Sequence, residues 1–214
     1  MKTLKIIACL LFFIFVWGTV YSDSPLKQKN EKQKKQAPVD GPYVLYGEEG
    51  DMRVIWVDEQ GKIQDSTYRD VPEDFELNVV SHKGNHHFQV KLHPVERPLW
   101  KSEQREKTLI ISDPHGDLES FVSVLRNNGV IGKNYKWKFG KNQVIIIGDV
   151  FDRGKDVLPI FWLIYKLEQE AKDAGGVMTF MLGNHEEMVL RGNLKYTRSK
   201  YKDLATSLGM EYAD

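Results

Sequence analysis

Cysteine is almost absent from this chain: Cys9 is the single one in 214 residues. It sits before most of the N-terminal apolar run, so it is not placed where a lipid-attachment cysteine would stand. Once that run is removed no thiol remains, which excludes zinc–thiolate sites, cysteine nucleophiles and internal disulfides. An excess of one charge is also missing, because 30 Lys and Arg balance 30 Asp and Glu. No basic surplus points to nucleic acid as a partner. The apolar run at residues 6–17 falls short of the roughly 20 residues that span a bilayer. Lys2 and Lys5 precede it and small residues follow as far as Ser22. This is the pattern of a secretory signal peptide over residues 1–22. It predicts export to a periplasmic or extracellular space, with membrane anchoring only where the signal stays uncut. A last absence is histidine after His185.

What is present divides into three further stretches. Residues 23–42 carry Lys27, Lys29, Lys32, Lys34 and Lys35 among polar neighbours, and read as a disordered basic linker that buries too little to order itself. Residues 43–100 alternate with a period of two. Val54 and Trp56 face Ile63 across a turn at Glu59-Gln60-Gly61, and Phe88, Val90 and Leu92 follow a turn at Gly84-Asn85. Two hairpins of a small antiparallel β module are expected. Its histidines, His82, His86, His87 and His93, are expected on the hairpin surface without metal. Adjacent His86 and His87 must point to opposite faces of a strand.

The pattern changes at Lys107. Residues 108–112, 143–147 and 177–182 are apolar runs of strand length, and the stretches after the first two have helical periodicity. Leu118, Phe121, Val122 and Leu125 mark one helix. Another runs from Pro159 to about Ala174, where Gly175-Gly176 stops it. Alternation of strand and helix predicts an α/β fold with a parallel sheet, and unbroken apolar strands predict cover on both faces.

Each strand ends in a polar signature: Asp113-Pro114-His115-Gly116-Asp117, then Gly148-Asp149-Val150-Phe151-Asp152-Arg153-Gly154, then Gly183-Asn184-His185-Glu186. The carboxyl ends of parallel strands share one edge, where such sheets bind ligands. Asp113, His115 and Asp149 offer oxygen and imidazole donors for one divalent ion. Asp149, if bridging, and the Asn184 amide reach a second. Such donors without thiolate suit Mn, Fe or Zn better than copper. Two ions lower the pKa of a bridging water and clamp phosphate oxygens. Arg153 is placed to bind phosphate. His185 is placed as the catalytic acid, with Asp152 orienting its ring. Taken singly, each signature also reads as a helix start or turn, with Asp117 capping a helix. Their joint order after three buried strands favours the metal reading.

At these residues the chain resembles the calcineurin-like metallophosphoesterases. Residues 146–154 and 181–193 are similar to the Shewanella-like branch of the phosphoprotein phosphatases. Leu182 stands before Gly-Asn-His-Glu, where eukaryotic members of the wider branch carry a phosphate-clamping arginine. The resemblance covers residues 107–214. It implies a metallophosphoesterase β-sandwich flanked by helices, with only its first half in this chain. The expected activity is phosphomonoester hydrolysis, on phosphoprotein or small phosphoesters, by a bridging hydroxide between two divalent ions. The resemblance also implies two further histidine ligands and another arginine beyond those present, so the chain is expected to be a C-terminally truncated piece of a longer enzyme with a half-covered core. Hydrolysis of nucleotides or dinucleoside polyphosphates is the alternative within this chemistry. A non-catalytic binding protein, recognising a partner through residues 43–100, is the alternative outside it.

Overall fold

The computed structural model describes residues 37–48, 50–97, 101 and 103–210. The expected signal peptide and most of the expected linker lie outside the described residues. Strand β1 (Asp40–Tyr46) begins within the last residues of that linker. It pairs antiparallel with β2 (Met52–Val57), which pairs with β3 (Ile63–Tyr68). Asp58 closes the β2–β3 turn, accepting the N–H groups of Gln60 at 3.0 Å and Lys62 at 2.9 Å. Gly61 there takes a φ of 70°, which costs a glycine little. Strands β4 (Glu76–Val80) and β5 (His87–Lys91) form the second expected hairpin.

The second half alternates as expected. It runs β6 (Thr108–Ser112), α1 (Leu118–Asn127), β7 (Gln143–Ile147), α2 (Val157–Asp173) and β8 (Val177–Met181), then the short helices α3 (Asn184–Leu190) and α4 (Ser199–Ser207). The sheet is parallel in the order β6-β7-β8 and in regular register, Ile110 beside Ile145 beside Thr179. Leu118, Phe121, Val122 and Leu125 are the buried stripe of α1. Asp117 caps that helix, accepting from the Ser120 N–H at 3.1 Å and the Ser120 hydroxyl at 2.7 Å. These two donors hold its carboxyl below the usual aspartate range.

Helix α2 is the centre of packing. It contacts β8 as well as β1, β4 and β5. Leu163 and Leu167 on it are fully buried, and one apolar cluster joins Met52, Leu77 and Val90 to Phe121, Val144 and Ile146. The β strands of residues 43–100 therefore share their core with the α/β half.

The histidines of the first half correct the expectation of a hairpin surface. His86 is 4% exposed; one ring nitrogen meets the Tyr135 hydroxyl at 2.8 Å and the other Glu119 at 2.9 Å. His82 donates its backbone N–H to Asp156 at 2.6 Å, and its ring lies 2.5 Å from the same carboxylate. His93 stacks on Tyr165 with ring centroids 3.8 Å apart. Only His87 lies on the surface, on the face opposite His86. The physical reason is that partners for these rings come from α1, the segment after it, Asp156 at the start of α2 and α2 itself, far away in sequence.

The parallel sheet also departs from the expectation, drawn from its apolar runs, of two covered faces. Its Val144, Ile146 and Met178 face the helices and are buried. On the opposite face Ile110 is 57% exposed, Ile147 46% and Met181 49%. Unbroken apolar strands here mean one face under helices and one open among the described residues, not two covered faces.

Candidate metal centre

The three signatures all leave the sheet at one edge. Asp113 follows β6, Asp149 follows β7 after Gly148, and Gly183 leads from β8 into α3. The backbone there is unusual. Of six non-glycine residues with positive φ among the described residues, five are Asp113, His115, Asp149, Asp152 and Arg153. Left-handed backbone costs such residues energy, so its concentration here marks a place where geometry is held against local preference. Close approach of the loops requires glycine at two crossings. A Cβ on Gly183 would lie 2.3 Å from Asp149 Oδ1, and one on Gly154 would lie 2.3 Å from the Gly116 carbonyl.

His115, Asp149 and His185 each present a ligand atom within 4.8 Å of the others. His115 Nδ1 lies 2.9 Å from the Phe151 carbonyl oxygen, which only accepts. Nδ1 therefore carries the proton, and the Nε2 lone pair is left for an ion. Asp113 reaches this group from the open side, its carboxylate 3.7 Å from His115 Nε2 and its side chain 55% exposed. Asn184 opens α3 beside His185 and is exposed. Asp149 Oδ1 accepts the His185 backbone N–H at 2.9 Å, which ties the β7 loop to α3. This set of carboxylates and imidazoles, without sulfur, fits a hard or borderline divalent cation.

His185 is buried, and its Nδ1 lies 2.8 Å from Asp152 Oδ2. The other Asp152 oxygen accepts from Thr197 at 2.8 Å. Asp152 is 2% exposed, so both of its partners are found inside the protein. Arg153 is exposed beside this pair, with Nη2 3.5 Å from His185 Nε2. Its backbone is fixed by Tyr196, whose carbonyl accepts the Arg153 N–H at 3.3 Å, and by the Arg198 guanidinium, which donates to its carbonyl. All seven residues singled out in the sequence thus stand at this edge.

Two supporting residues were missed. Glu186, 1% exposed, accepts four backbone N–H groups. Oε2 takes those of Asp149 and Gly183 at 2.7 Å each, and Oε1 takes Val150 at 2.8 Å and Phe151 at 3.0 Å. It holds the β7 and β8 loops together from beneath. Its only sequence signal was an acid directly after a candidate histidine. Thr197 gave no signal, because its partner lies 45 positions earlier.

An α/β fold with this donor set at the carboxyl edge of its parallel sheet is of the metallophosphoesterase type. Residues 106–211 match the family model for calcineurin-like phosphoesterase, and this part of the chain belongs to that family. Membership implies divalent metal cofactors. The chain is similar to Shewanella-like protein phosphatase 2 of Arabidopsis thaliana, 39% identical over 98 residues, covering 46% of this chain and 25% of the relative. It is similar to an asymmetrical bis(5'-nucleosyl)-tetraphosphatase of Oceanobacillus iheyensis, 31% identical over 107 residues, covering 45% of this chain and 41% of that one. Its fold matches the crystal structure of a cold-active protein-tyrosine phosphatase of a psychrophilic Shewanella species, with a TM-score of 0.63 and 28% identity. That match covers 82% of this chain and 52% of the other. A share of 82% exceeds what residues 107–214 make up, so the structural likeness extends into the β strands before them. The chain spans from a quarter to about half of the length of these relatives.

Proposed function

We propose that this chain supplies the first part of a metal-dependent phosphomonoesterase, acting on phosphorylated protein side chains or small phosphoesters. The observation that carries this reading is the convergence of His115, Asp149 and His185 ligand atoms within 4.8 Å, with Asp113 beside them. His115, Asp113 and Asp149 would hold one divalent ion, and Asp149 with Asn184 would contribute to a second, of the Mn, Fe or Zn type. When bound, such ions polarise the phosphoryl group and make a water nucleophilic at neutral pH.

The protein's own groups do the rest. Arg153, exposed beside His185, pairs with the phosphate oxygens and fixes their orientation. Asp152 and Thr197 set the tautomer of His185 through Nδ1. Its Nε2 then faces the site and gives a proton to the departing ester oxygen. The products are inorganic phosphate and the free hydroxyl. The sequence pattern of residues 1–22 supports a protein exported to a periplasmic or extracellular space. The names of relatives support phosphoprotein as substrate first and dinucleoside polyphosphate second.

The test is phosphate release from a phosphotyrosyl peptide, a phosphoseryl peptide and an aryl phosphate, with and without Mn²⁺. Diadenosine tetraphosphate is run in parallel. Metal-dependent release that falls at least about a hundredfold in Asp149→Asn and Asp152→Asn supports the reading. Undiminished turnover in Asp149→Asn overturns it. Cleavage of the dinucleotide alone moves the substrate to the second class.

A further inference from the structure

Helix α2 presents a second feature, away from the strand ends. A cleft of about 750 Å³ lies between α2, strand β1 and the segment after β5. Trp162, Tyr165 and Phe161 line its wall, and Glu168 is its one carboxylate. Among the described residues no hydrogen bond or ion pair engages the Glu168 side chain. The cations on its own helix are engaged elsewhere: Lys166 pairs with Glu170 at 2.8 Å and Lys172 with Glu96 at 2.7 Å. His93 also faces the cleft, with its ring nitrogens 2.9 Å from the Pro94 carbonyl and 2.8 Å from the Tyr165 carbonyl, and makes no ion pair with Glu168 among the described residues. Burial pushes the Glu168 carboxyl above its ordinary range, and His93 nearby offsets this only in part.

A half-buried carboxylate among aromatic rings is a costly arrangement unless a cation completes it. The rings supply negative π faces, which attract ammonium and guanidinium groups, and the carboxylate adds a charge-assisted bond. The rim is apolar and open, with Leu45 45% exposed, Tyr46 70% and Val95 80%. Leu45 and Tyr46 end strand β1, Val95 lies in the segment after β5, and all three line the cleft. A compact small cation would leave them wet, whereas a peptide with apolar residues on both sides of a basic one would cover them.

We propose that this cleft is a docking site for a polypeptide segment that presents a lysine or arginine flanked by apolar residues. The basic side chain reaches Glu168 along the wall that Phe161 and Trp162 line, and its neighbours cover Leu45, Tyr46 and Val95. The proposal does not depend on turnover at the metal centre.

The experiment is calorimetric titration of the full chain with a capped leucine-lysine-leucine-valine peptide, alongside Trp162 fluorescence. A second peptide carries norleucine in place of lysine, and butylammonium serves as the small-cation probe. Saturable binding, weakened about tenfold both by norleucine and by Glu168→Gln, is the expected result. Glu168→Gln keeps the side-chain shape, and its folding is checked by thermal melting. Tyr46→Ala, on the exposed rim, gives an independent loss of about threefold to tenfold for the peptide. Equal affinity of the two peptides removes the role of the cation and overturns the proposal. Butylammonium binding as tightly as the peptide makes this a small-cation pocket instead. No saturation with the lysine peptide at millimolar concentration overturns it outright.

Discussion

Replacing Glu186 by glutamine is the most informative perturbation of the candidate centre. The change preserves shape and removes one acceptor oxygen. Whichever way the amide turns, its NH₂ faces two backbone N–H groups, either those of Asp149 and Gly183 or those of Val150 and Phe151. Each hydrogen bond to a charged acceptor is worth about 1.5–3 kcal/mol net. Losing two, with donors now opposed in a site 1% exposed, costs about 3–6 kcal/mol. That is a large share of the 5–15 kcal/mol typical of a whole domain. The loop that loses its anchor carries Asp149, so divalent-ion affinity falls with stability. Urea unfolding gives the first quantity and Mn²⁺ titration the second. A Glu186→Gln protein within about 0.5 kcal/mol of wild type by unfolding, a change ordinary for surface substitutions, would refute the clamp.

Three further expectations follow from the same structure. Thr197→Val removes the bond to Asp152 at 2.8 Å and should lower turnover about fivefold to tenfold with unchanged Mn²⁺ affinity, read from steady-state rates and metal titration. Leu163→Ala empties a fully buried position in the shared core and should cost about 2–5 kcal/mol by urea unfolding; less than 1 kcal/mol would mean that α2 does not join the two halves. Burial raises the Glu168 carboxyl in the folded state, whereas in the unfolded chain it ionises near about 4.3. The folded protein therefore loses stability as pH rises from that value through the raised one. Glu168→Gln should melt higher than wild type at pH 7 and no higher at pH 4, and equal melting at pH 7 would show that the carboxylate carries no burial penalty.

The sequence carried the parallel strands well, because short apolar runs followed by glycine and acid leave few readings. Strand β7 has the expected bounds, and α1 follows its four-residue apolar stripe. The grouping of the seven candidate residues at one edge was legible because each lies in or just after the loop that leaves a parallel strand, and parallel strands bring their ends to one edge. Contacts over long separations were not legible. Glu186 takes its importance from four N–H groups on two loops, and His82 from Asp156, 74 positions away. No periodicity signals such a pairing. Periodicity alone did not reveal the open sheet face, which only the family resemblance had implied: Ile110, Ile147 and Met181 look the same in sequence whether covered or exposed. Helix α4 was not foreseen, since Tyr201 and Leu204 are its only buried apolar residues.

Three strand ends converge on a site that fits a divalent cation. Mn²⁺ titration followed by electron paramagnetic resonance tests it most directly, on the wild-type chain and on Asp149→Asn. Bound Mn²⁺ with nitrogen couplings from imidazole is expected in the wild type, and affinity lower by at least about a hundredfold in Asp149→Asn. Equal binding by the two proteins, or bound Mn²⁺ without imidazole nitrogen, would contradict it.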